Sequence, residues 1–163
     1  MNIHQMQCVY QPLEDRLLLR VLAVDRSEFR FWLTRRYVKL LWQVILKLLE
    51  RDPAAVALAD EDTRRAVLGF QHDNAVRSGQ FGRPFEEGAA TLPLGAAPLL
   101  LSRIGGRPGE GGRQILSMHP EQGQGIDLGV DSRLLHLPSK LVADAVVQAD
   151  WDMQLPMAQT FTG

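Results

Sequence analysis

The chain has 163 residues, 45% of them hydrophobic and 23% charged, enough apolar material to close a core and too much for wholesale disorder. A formal net charge of −1 gives no global attraction to nucleic acid or to an anionic membrane, so polyanion binding would need a local patch. One cysteine, Cys8, excludes an intrachain disulfide, and no signal peptide or bilayer-length apolar stretch is read, so a cytoplasmic protein with no membrane partner is expected.

In chain order, Met6 to Tyr10 reads as a short strand and Pro12 through Asp15 as a turn. Leu17 to Val24 is apolar at nearly every position, the pattern of a strand covered on both faces. Glu28 to Leu33 alternates cleanly, with Phe29, Phe31 and Leu33 on one face and Arg30 and Trp32 on the other. Thr34 then caps a helix to about Arg51 whose polar residues Arg36, Lys39, Gln43, Lys47 and Glu50 fall on one stripe. Its remaining circumference is apolar, so cover on two sides is expected, from a sheet and from another helix or subunit. Residues 54–77 read as helical after Asp52-Pro53, and 78–98 as an irregular connection. Leu99 to Ile104, Arg113 to His119 and Ile126 to Val130 read as strands, with Gly105 to Gly112 as a glycine-rich hairpin. Pro138 is expected to delay the last helix, leaving Ser132 to Leu137 as a turn.

Residues 29–49 and 126–146 align without a gap at an offset of 126 − 29 = 97, Thr34 matching Asp131 as a helix cap. The expected fold class is therefore α+β: two pseudo-repeated βββα units, each an antiparallel sheet followed by a helix. They are half-repeats 1–52 and 98–150 of a single domain, related by a pseudo-two-fold axis and joined by a helical or irregular connection over 53–97.

No catalytic constellation is visible, and no cofactor or metal is implied. His4, His72, His119 and His136 lack the spacing that enforces coordination, even with Glu121 and Asp127 near His119 in sequence. Cys8 and Ser117 have no evident base and orienting acid. The glycine-rich run lacks the lysine and hydroxyl residue of a phosphate loop. Arg30, Trp32, Arg35, Arg36 and Lys39, with Arg133 in the second copy, form a candidate surface for phosphates and a stacked base. The competing and preferred reading pairs the arginines with Glu14, Asp15 or Glu28. Trp42, with Leu46 and Leu49, is the candidate anchor of a subunit interface on the apolar helix, the alternative for Trp42 being simple core packing.

The stretch Glu28-Phe29-Arg30-Phe31-Trp32-Leu33-Thr34-Arg35-Arg36, with Gly123-Gln124-Gly125-Ile126-Asp127-Leu128, resembles a group of bacterial hypothetical proteins without an assigned activity. At the level of fold, a doubled sheet-then-helix unit resembles the Whirly and Pur-alpha class, though with three readable strands per unit instead of four. That resemblance implies binding of single strands across the sheet by basic and aromatic residues, and self-association. The expectation is a non-enzymatic binding or adaptor protein acting as a homodimer, with a protein partner. The alternative is a single-stranded DNA- or RNA-binding protein.

Overall fold

A computed structural model describes residues 1–51 and 84–156. The helix expected over 54–77 lies outside the described residues. Among the described residues six strands and two α-helices are laid down as β1 (Ile3–Gln11), β2 (Arg16–Ala23), β3 (Glu28–Leu33), α1 (Arg35–Glu50), β4 (Leu99–Pro108), β5 (Gln114–Pro120), β6 (Ile126–Val130) and α2 (Ser132–Ala149). The fold is α+β, and all six strands join one mixed sheet in the order of the chain.

Neighbouring strands pair antiparallel except at the middle, where β3 and β4 run parallel through Phe31 opposite Leu99 and Trp32 opposite Leu100. A parallel joint needs a long crossover, and α1 supplies part of it. The same joint overturns the expected two-fold relation. Strands β1 and β4 point one way, as do β3 and β6, so no two-fold axis within the sheet relates residues 1–33 to residues 99–130.

Alternation sorts the side chains onto two faces. Leu17, Leu19 and Val21 from β2 and Phe29, Phe31 and Leu33 from β3 point inward. Leu101, Leu116, Met118, Ile126, Leu128 and Val130 continue that face and complete one core with both helices. Helix α1 starts where the Thr34 hydroxyl accepts from the Tyr37 amide at 3.1 Å. It buries Tyr37, Val38, Leu41, Trp42, Ile45, Leu48 and Leu49. It packs chiefly against β4 and against α2, while α2 reaches back to β1. Each helix thus lies under a strand from the other part of the chain, which is why α1 can be apolar on most of its girth within one molecule.

Pro138 does not delay the last helix. The Asp131 carboxylate accepts from the Leu134 amide at 2.7 Å and starts α2 at Ser132, with Pro138 inside the helix. The proline removes one backbone donor, and the Ser139 hydroxyl donates to the Leu135 carbonyl at 2.8 Å in the same turn. Leu135, Val142, Ala145 and Val146 are buried by that continuity. Tertiary packing outweighs the local penalty.

Strand β4 also runs further than its glycines suggest. A Cβ at Gly106 would stand 2.8 Å from Leu48 Cδ2, so the bare backbone there is what lets α1 lie close. Gly125 is tighter still. A Cβ there would meet the Met118 carbonyl oxygen at 2.0 Å and His119 Cα at 2.6 Å, both backbone atoms that cannot move aside. Gly125→Ala is therefore expected to break the β5–β6 connection and lower the urea midpoint by more than Gly129→Ala, where nothing lies within 4 Å and φ is not positive. Equal midpoints for the two variants would refute that packing.

Candidate functional site

The side chains that point away from the helices define the outer face of the sheet, and its two parts differ. Over β1 to β3 the segment 84–91 crosses the face as a strap. Glu86 takes His4 Nε2 at 3.0 Å and Arg26 at 2.5 Å, and its amide donates to the Gln5 side chain at 2.8 Å. Glu87 takes Arg20 at 2.6 Å, and the Arg20 guanidinium lies 4.3 Å from the centre of the Phe85 ring. Backbone bonds from Ala90 to the Arg26 carbonyl and from Glu28 to the Thr91 carbonyl, both 3.0 Å, anchor the far end.

Under the strap sits Glu28, only 1% exposed, between Arg20 at 3.1 Å and Arg30 at 2.5 Å. Burial pushes its carboxyl up, but the hydrogen bonds and charges of Arg20 and Arg30 together outweigh that and hold it below the usual glutamate range. Arg30 also donates to the Ala96 carbonyl at 3.2 Å.

Beyond the strap a row of apolar side chains crosses four strands. Val9 faces Leu18, Leu18 faces Trp32, and Trp32 faces Leu100. Val9, Leu18 and Trp32 are half-buried and Leu100 is 43% exposed. Farther along, β4, β5 and β6 carry a polar group: Arg107 donates to the Ser117 hydroxyl at 3.0 Å, and His119 Nε2 meets Asp127 Oδ1 at 2.9 Å. The Gly125 amide donates to His119 Nδ1 at 3.1 Å, which leaves the ring proton on Nε2, facing the carboxylate. Hydrogen bonds from Ser117 and then from His119 keep the Asp127 carboxyl below its ordinary value.

This trio has the wrong order for nucleophilic catalysis. The aspartate stands between serine and histidine, so the imidazole cannot take the hydroxyl proton. His136 is buried on α2, on the other side of the sheet from His119. Among the described residues no three His, Cys, Asp or Glu side chains converge as metal ligands. Burial pushes the Cys8 thiol up to about 12, the state of an inert packing residue.

The residues named from sequence divide among separate places. Arg30 and Trp32 share the outer face, but Arg30 is engaged by Glu28. Arg35 sits at the start of α1, 3.7 Å from Asp15 and with its guanidinium 5.3 Å from the centre of the Trp151 ring. Asp15 also accepts from Trp151 Nε1 at 3.0 Å and from the Tyr10 hydroxyl at 2.8 Å, and these bonds depress its carboxyl, Trp151's most. Arg36 and Lys39 are exposed on α1, across the sheet from Trp32. Arg133 lies exposed on α2. Trp42 and Leu49 are buried within one chain, and Leu46 is half-buried. Trp42 Nε1 donates to the Pro156 carbonyl at 2.9 Å, so a later segment of the same chain reaches the indole named as an anchor.

Sequence reading missed the strap and the full apolar row. The signal for the row was present in Leu17-Leu18-Leu19 of β2, three apolar residues in succession, which puts Leu18 on the outer face. Among the described residues no helix is long and apolar enough to cross a membrane. Compared with known proteins, the chain matches no family model, no curated protein and no solved structure.

Proposed function

We propose that this chain is a non-enzymatic binding protein of the cytoplasm that works as a homodimer through the outer face of its sheet. One observation carries the reading: four adjacent strands each present an apolar side chain, Val9, Leu18, Trp32 and Leu100, away from the core. A contiguous apolar patch with a half-buried tryptophan at its centre is the kind of surface that protein association covers. The polar groups beside it are locked to one another, which supports a docking role over chemistry. Light scattering after size-exclusion chromatography is expected to give a dimer at micromolar concentration. Trp32→Asp is expected to give a folded monomer. A wild-type monomer at every concentration tested overturns the dimer.

We also read the chain as a doubled βββα unit, the copies related by a shift along the sheet. The matching order of elements supports this, as do the two caps at 131 − 34 = 97, each accepting from the amide three residues on.

A second reading, binding of single-stranded DNA or RNA, is favoured by Arg36 and Lys39, exposed cations one turn apart on α1 with no acidic residue in its first turn. Oligonucleotide affinity that falls steeply with salt is its expected result, and Arg36→Ala with Lys39→Ala should flatten the slope. No binding at low salt removes it.

A further inference from the structure

The basic side chains on the strapped half of the outer face come from three strands and one turn: His4, Arg20, Arg26 and Arg30. With one buried carboxylate, Glu28, among three arginines, the face beneath the strap is cationic. What lies on it is an aromatic residue followed by two carboxylates. Phe85 covers the Arg20 guanidinium, Glu86 bridges His4 and Arg26, and Glu87 makes two hydrogen bonds to Arg20, at 2.8 and 2.6 Å. That is recognition of a short acidic peptide, carried out within one chain.

We propose that this face is a docking surface for an aromatic–acidic peptide segment of a partner protein, held closed by Phe85-Glu86-Glu87 acting as a built-in competitor. The inference is independent of the apolar row. Two features support exchange. The strap's carboxylates stand at the surface, Glu86 44% and Glu87 69% exposed, so water and salt compete for both. The cationic side is preorganised: Arg20 is 12% exposed and fixed by Glu28, so an incoming segment orders only itself.

The probe is a labelled peptide copying residues 84–91, titrated into the full chain. Glu86→Gln with Glu87→Gln, which loosens the strap, is expected to bind it at least tenfold more tightly than wild type, with affinity falling as salt rises. Adding Arg26→Ala to that variant is expected to abolish the gain. In the wild-type protein, the amides of Ala90 and Glu28, which bond across the strap, should exchange faster than those of β2 and faster again with peptide. Equal affinity of wild type and the loosened variant overturns the proposal. So does exchange of the Ala90 and Glu28 amides only with global unfolding. A loosened variant that self-associates and excludes the peptide also overturns it, since the occupant is then a second copy.

Discussion

Glu28→Ala is expected to destabilise the protein by about 3 kcal/mol, the low end of the range for removing one partner of a buried ion pair. The carboxylate is 1% exposed and is shared by two guanidiniums, so its loss leaves Arg20 and Arg30 facing each other with less water than free cations need. Arg20 keeps Glu87 and Arg30 keeps the Ala96 carbonyl, which holds the cost at the low end. Urea denaturation measures it. Glu28→Gln should cost nearly as much, because the amide cannot replace the charge. Pairing Glu28→Ala with Arg30→Met should recover part of the loss, since residues in one network are not additive. A strictly additive double variant would show that the two groups do not interact.

The same carboxylate sets the acid limit. Its folded pKa lies below the ordinary glutamate value, about 4.3, so the folded state binds protons less readily than the unfolded chain. The stabilisation is complete above that ordinary value and is lost as pH falls through the folded one. Glu86, Glu87, Asp15 and Asp127 shift in the same direction, so stability should drop steeply below about pH 4.3, the ordinary glutamate value. The urea midpoint of Glu28→Gln should fall less over that interval. An identical pH profile would remove Glu28 from the account.

What could be read from residues alone was whatever repeats at short range. β3 matched its expected bounds because Phe29, Phe31 and Leu33 alternate with Arg30 and Trp32, and both faces obey one period. The caps at Thr34 and Asp131 were legible because a hydroxyl or carboxylate before an apolar run has few other uses. Pro138 misled because its local cost is visible in sequence while the buried faces of Leu135 and Val142, which outweigh it, are not. β4 was cut short at Ile104 because glycine has low strand propensity, and only contact with Leu48 explains Gly106. The strap was invisible for a plainer reason. His4 and Glu86 are 82 residues apart and Arg20 and Glu87 are 67, and no local period encodes an ion pair at that range. The Glu28–Arg30 pair was legible, since residues two apart in a strand share a face.

Trp42 gives the sharpest separation between a subunit anchor and a core residue. In the folded chain it is 2% exposed and its indole N–H is taken by the Pro156 carbonyl. Trp42→Ala is therefore expected to cost about 3–5 kcal/mol, the range for emptying a buried aromatic site. For a chain of this size that lowers the melting temperature by about 10 °C. Trp42→Phe keeps most of the packing but removes the donor to the Pro156 carbonyl, which is exposed enough to take water instead, and should cost about 1 kcal/mol. Because the cavity lies within one molecule, neither loss should depend on protein concentration. An anchor at a subunit boundary behaves differently: its removal leaves a stable monomer, and the apparent loss shrinks as the protein is diluted. Melting curves across a hundredfold dilution series of wild type and Trp42→Ala distinguish the two. A difference that vanishes on dilution would place Trp42 at an interface, and a constant difference places it in the core of one chain.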